Sequence, residues 1–256
     1  MLERLRSFWG SQPRPPETRE VARRAVVLRM VITYAMVRGQ GVADSGGGAR
    51  LRAVARSAGL WRSFSPKERG LLRDTSAALP PQSIINASWR LEALGTLLWA
   101  LKLVPWLPPF DQQFTAEIAT TIPTDGLGEF IDGLGLRSVE ELERERDRAE
   151  LWHWRSRTRQ LIEEHRPFPE MPAVEGGPRF SCYDDIVRFT AKAAGESGTL
   201  AEVLDEDFVA KGKPYRDLTA TEWAEVTSIT VERHFALNWL CGRARGNRWD
   251  ETPTDT

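Results

Sequence analysis

Helix starts are written into this chain at three places, and they constrain its fold more than any other feature. Ser65-Pro66-Lys67-Glu68 sets a hydroxyl where the first free backbone N–H groups of a helix need an acceptor. Pro66 then suits the first helical position, and Glu68 can reach back to the cap. Thr219-Ala220-Thr221-Glu222 repeats this box, and Ser138-Val139-Glu140-Glu141 opens the longest helical pattern, running to about residue 165. From Glu17, the residues Val21, Ala25, Leu28, Ile32 and Ala35 recur at helical spacing until Gly39 and Gly41 stop them. Pro80-Pro81 precedes a long helix expected over 82–104, which ends in Pro105-Trp106-Leu107-Pro108-Pro109. Ser45-Gly46-Gly47-Gly48 reads as a flexible loop, with a short helix after it that places Leu51, Val54, Ala55 and Ala58 on one face. A further helix is expected over about 183–194, with an irregular stretch at 110–136, a Pro/Gly-rich linker at 167–178, and an ordered loop or small hairpin at 205–218. The sequence therefore predicts an all-α fold: one multi-helix globular bundle of six or seven helices with irregular connections and at most one short hairpin. Its expected organisation is a flexible N-terminal segment, 1–16, followed by a single helical domain, 17–256.

A chain of 256 residues, 41% hydrophobic and 28% charged, can bury a large core and is not a disordered protein. Its two cysteines, Cys182 and Cys241, form no CxxC pair, which excludes a disulfide framework and suits a reducing compartment. The start, Met1-Leu-Glu-Arg-Leu-Arg6, lacks an apolar export signal, so the expected location is cytoplasmic. The apolar stretches 25–37 and 93–107 carry Arg29 and Lys102 and fall short of the roughly 20 residues that span a bilayer, so both read as buried helices. Only five of the 35 basic residues are lysine, a bias expected of a GC-rich bacterial genome. Residues 1–73 carry a balance of +10 and residues 74–256 one of −11. The basic residues alternate with apolar ones and do not form a tail. That pattern favours two halves that complement each other in one fold over a nucleic-acid surface.

Ten tryptophans occur, and three segments pair them with charge in otherwise apolar surroundings. The first runs from Ser88 to Leu101 and holds Arg90 and Glu92. No cation lies at the helical neighbours of Glu92, so this carboxylate must find its partner on another element or line a pocket. The second, Glu150 to Arg157, holds His153 and Arg155. The third, Glu232 to Leu240, holds Arg233, with His234 and Asn238 four apart on one face. Arg90, Glu92, His153, Arg155, Glu232, Arg233, His234 and Asn238 form the candidate polar cluster. In one reading they are interhelical ion pairs that fix helix register, with arginine stems packed on rings. In the other they line a cleft that grips an anionic ligand with arginine forks.

No catalytic residue can be assigned, because the chain has no nucleophile elbow, no HExxH and no phosphate loop. His153, His165 and His234 lack the paired spacing of metal ligands, so neither a metal nor a cofactor is expected. The three tryptophan segments, with Ser65-Pro-Lys-Glu68 and the ending Trp249 to Thr256, resemble the family catalogued as domain of unknown function 4272, over about residues 20–256. That resemblance implies no activity, substrate or cofactor. The expectation for function is an intracellular, non-enzymatic helical protein that acts by binding another macromolecule, a protein partner rather than nucleic acid or membrane. The alternative is an enzyme or small-anion binder with an Arg/Glu/His-lined cleft. An open pocket joining Glu92, His234 and the arginines would favour the alternative, and burial with mutual pairing would favour the structural reading.

Overall fold

The structure, a computed structural model, describes residues 14–40, 46–74, 79–170 and 178–255. Most of the expected flexible segment 1–16, and most of the 167–178 linker, lie outside the described residues. The described residues form eight α-helices: α1 (Thr18–Gly39), α2 (Gly47–Ser57), α3 (Pro66–Arg73), α4 (Pro81–Ala100), α5 (Leu127–Asp132), α6 (Val139–Glu163), α7 (Tyr183–Glu196) and α8 (Ala220–Leu240). The small hairpin expected at 205–218 is a three-stranded antiparallel sheet of β1 (Val203–Leu204), β2 (Asp207–Ala210) and β3 (Lys213–Pro214) in sequential order. The fold is predominantly α-helical.

The three helix starts form through local bonds. Ser65 Oγ accepts from the Glu68 N–H at 3.3 Å, and Glu68 accepts from the Ser65 N–H at 2.8 Å. Ser138 and Glu141 make the same reciprocal pair, as do Thr219 and Glu222. Each box satisfies two of the backbone donors that a helix leaves open at its N-terminus.

Three local expectations are corrected. Gly47 and Gly48 belong to the first turn of α2 and not to a loop, and Gly46 at φ +85° turns the chain into it. A short helix, α5, and a 3-10 turn at Ala116–Thr121 occupy part of the stretch expected to be irregular. Helix α4 stops at Ala100 and not near 104. Lys102 adopts the left-handed conformation at φ 63°, and its N–H bonds to Trp99 O while the Leu103 N–H bonds to Leu98 O. These are the paired bonds of a Schellman ending, closed here by lysine where glycine is usual.

The chain divides into two compact units. The first comprises the described residues within 14–107, 114–146 and 232–255, and α1 with α4 is its main helix pair. Val21, Ala25, Leu28, Ile32 and Ala35 of α1 are all buried, as their spacing requires. Gly39 lets the end of α1 approach Ile84 of α4, where a β-carbon would sit 2.9 Å from the isoleucine. Several basic residues of this unit are paired within it. Arg24 is buried and reaches Glu68 at 2.5 Å and Ser63 O at 2.9 Å, so Glu68 serves both a helix cap and an ion pair. Arg29 caps the carbonyls of Ile122 and Pro123, and Arg19 pairs with Asp132.

The second unit comprises the described residues within 108–113 and 147–231, and carries the sheet, α7 and parts of α6 and α8. Its core is aromatic: Trp152 stacks on Phe110 at 5.4 Å and meets Phe208 edge-on at the same distance. No helix among the described residues is long and apolar enough to cross a membrane.

Candidate functional site

The first and third tryptophan segments meet in the first unit. Glu92 of α4 is 2% exposed, and its carboxylate accepts from Arg233 of α8 through Nε at 2.9 Å and Nη2 at 2.8 Å. The other oxygen of Glu92 accepts from the Phe114 N–H at 2.8 Å. Arg233 is fully buried, with its guanidinium carbon 5.2 Å from the Phe114 ring centre. This approach depends on Gly95, one turn after Glu92. A β-carbon there would lie 2.3 Å from the Phe114 ring. Both Arg233 nitrogens converge on Glu92 Oε2 while the Phe114 N–H serves Oε1, so each carboxylate oxygen has a donor, and this offsets part of the desolvation of two buried charges.

Arg90 and Glu232 make a second, parallel pair at 3.0 Å, with Arg90 stacked 4.4 Å from the Phe235 ring centre. Burial raises the Glu232 carboxyl above its ordinary pKa, Arg90 opposes that shift, and the nearby Glu92 charge adds to it. His234 and Asn238 do share a face, as four-residue spacing requires. The Asn238 amide nitrogen donates to His234 Nε2 at 2.8 Å and to Pro253 O at 2.9 Å, which ties the chain ending to α8. Trp249 reinforces the tie, packing edge-on against Phe235 and Trp239 with the Arg24 guanidinium 5.0 Å from its ring. Glu92, Arg233 and His234 are all buried, and Glu92 and Arg233 are bound to each other.

The second segment builds a separate cluster within the second unit. Arg155 of α6 grips Asp207 of β2 through Nε and Nη2, both at 2.7 Å. Asp207 is fully buried and also accepts from the Phe208 and Arg216 N–H groups. Arg155 lies 4.6 Å over the Tyr215 ring, and the Tyr215 hydroxyl shares a 2.5 Å hydrogen bond with Ser156. Burial raises the Tyr215 pKa, against opposing hydrogen bonds and arginine charges. His153 is half-buried, and Arg157 is exposed and bonds Gln160. Sequence reasoning missed Asp207, Phe114 and Tyr215. Asp207 lies in the 205–218 stretch expected to be an ordered loop or small hairpin, and its bonds to Arg155 and to the Phe208 and Arg216 N–H groups mark its burial.

Of the exposed large apolar side chains among the described residues, Trp106 is the most exposed, at 71%. Its loop is held in place by Arg137, which donates through Nε to Trp99 O at 2.8 Å and through Nη2 to Pro105 O at 3.0 Å. The Arg137 backbone N–H bonds Ala100 O, and its guanidinium stacks 4.8 Å from the Trp99 ring centre. Two residues on, Val139 is a second exposed apolar side chain, at 57%. Prolines at 105, 108 and 109 restrict the loop further.

The profile of one protein family, described as domain of unknown function (DUF4272), matches residues 10–170. The match takes in Ser65–Glu68, the Trp89–Trp99 segment, Trp106, Arg137 and the Glu150–Arg157 segment, whereas Glu232–Leu240 and the Trp249 ending fall outside it. No curated protein and no solved structure matches the chain.

Proposed function

The chain belongs to the domain of unknown function family DUF4272, whose description assigns no activity, and we propose that it works by binding a partner protein with Trp106 as the anchor. The observation that carries this reading is an indole 71% exposed on a loop that Arg137 and three prolines hold rigid. Tryptophan is among the residues most enriched at energetic centres of protein interfaces. A loop backbone already held in place loses less entropy when it docks, so more of the buried area appears as affinity. Val139, two residues after Arg137, is also exposed. The buried ion pairs serve a different purpose in this account, which is to fix the helices that carry the loop.

The test is quantitative recovery of interacting proteins by the tagged full chain in its own host, beside Trp106→Ala. The expected result is a discrete partner whose binding weakens by about 2 kcal/mol or more, roughly thirtyfold, in the variant. A purified protein that is monomeric and recovers the same set of proteins with and without Trp106 would remove the reading.

A further inference from the structure

The second unit contains a cavity of about 130 Å³ beside the Arg155–Asp207 pair. Four arginines contribute to its wall: Arg155 and Arg159 from α6, Arg188 from α7, and Arg216 from the turn after β3. Three carboxylates, Glu163, Asp184 and Asp207, share the wall, so the guanidinium groups outnumber them. Asp207 has little left to offer a cation. Its Oδ1 already accepts from Arg155 and the Phe208 N–H, and its Oδ2 from Arg155 and the Arg216 N–H. Arg155 is in the opposite condition. Its Nε and Nη2 are committed to Asp207, while Nη1 is buried with no hydrogen-bond acceptor among the described residues, although the residue as a whole is only 2% exposed. A buried guanidinium nitrogen without an acceptor is costly, and native interiors rarely leave one so. Arg216 and Arg188 are about half exposed and contribute to the wall; Arg188 pairs with Glu206 at 3.5 Å, and Arg216 donates through Nη2 to Asp205 O at 2.9 Å.

We propose that this cavity binds one small oxyanion, a phosphate or a compact carboxylate, with the Arg155 guanidinium in its wall and Arg188 and Arg216 turning onto it from Glu206 and Asp205 O. The volume fits. Water occupies ~30 Å³ per molecule in the liquid, so the space suits an anion of a few heavy atoms and not a nucleotide. The chemistry fits too, because the edge of Arg155 that faces away from Asp207 presents paired N–H groups, the geometry that matches a carboxylate or phosphate. Holding Asp207 on one edge fixes the ring of donors before the anion arrives. The site is independent of the Trp106 loop and draws only on residues of the second unit.

Titration calorimetry of the purified full chain tests this with inorganic phosphate and with malonate, against sodium chloride at matched ionic strength. The two anions separate a tetrahedral from a planar preference, and saturable binding of either supports the proposal. Arg155→Lys risks unfolding a buried pair, so the decisive variant is the double substitution Arg188→Gln, Arg216→Gln at half-exposed positions. It is expected to keep its melting temperature and to weaken binding at least tenfold, about the loss of one charge-assisted contact. The proposal is overturned if neither anion binds saturably up to about 10 mM, a range that corresponds to only ~3 kcal/mol of affinity. It is equally overturned if chloride reproduces the effect, or if the double variant binds as the parent does.

Discussion

Removing the Glu92 carboxylate is the perturbation whose cost can be worked most directly from the structure. Glu92→Met leaves Arg233, which has no solvent exposure, without the carboxylate that takes both its Nε and its Nη2. It also takes away the acceptor of the Phe114 N–H. Breaking a buried pair from one side costs about 3–5 kcal/mol, mostly because an uncompensated charge stays behind. In a chain of this size each kcal/mol moves the melting temperature by about 2–4 °C, so the expected fall is about 6–20 °C. The control is the double substitution Glu92→Met, Arg233→Met. It removes both charges and fills the same space with thioether side chains, so it should melt clearly above Glu92→Met alone. Calorimetric or fluorescence melts of the three proteins give the answer. A single variant that melts within about 2 °C of the parent would show that the pair does not hold α4 to α8 as described. So would a double variant that is no better than the single one.

Two further outcomes follow from particular contacts. Gly95→Ala in α4 would ordinarily stabilise a helix by about 1 kcal/mol, but here the new β-carbon would meet the Phe114 ring at 2.3 Å, so overpacking should reverse the sign and lower the melting temperature; a rise would show that Phe114 is not seated there. Glu222 is held at a pKa of about 2, below its ordinary 4.5, chiefly by Lys213 and then by the Thr219 backbone N–H and hydroxyl. A depressed carboxyl stabilises the fold above its unfolded pKa, and that contribution disappears as pH falls from about 4.5 to about 2. Denaturation midpoints of the parent and Glu222→Gln should therefore differ by a constant amount above pH ~5 and converge below it; a gap that does not change with pH would contradict the capping pair.

The parts of this fold that were legible in the sequence are those set by short-range chemistry. Ser65 with Glu68, Ser138 with Glu141 and Thr219 with Glu222 each act over three residues, and all three open helices where the pattern places them. The demand that Glu92 either find a partner on another element or line a pocket was legible as well, because an isolated buried carboxylate is too costly to leave alone. Its partner was not legible. Arg233 lies 141 residues away, and no local rule selects it from 30 arginines. The end of α4 escaped for a related reason. Lys102 takes a left-handed conformation that sequence rules reserve for glycine, and Arg137, far along the chain, satisfies the last carbonyls. Asp207 sits in an acidic run, Asp205-Glu206-Asp207, and it is buried next to an equally buried Phe208 against strand alternation, so only its long-range pair with Arg155 accounts for its place. Trp106 was visible as part of a proline-rich helix break, but nothing in that short pattern says whether its indole packs inward or faces solvent.

A photo-crosslinking residue placed at position 107 of the full chain, beside the intact Trp106 and irradiated in the native host, tests the role of that indole most directly. Position 157 on α6, which is exposed, serves as the control. The expected result is a discrete crosslinked partner at 107 that is lost with Trp106→Ala, and only background at 157. Equal yields at the two positions, or an adduct at 107 that persists without Trp106, would contradict the proposed anchor.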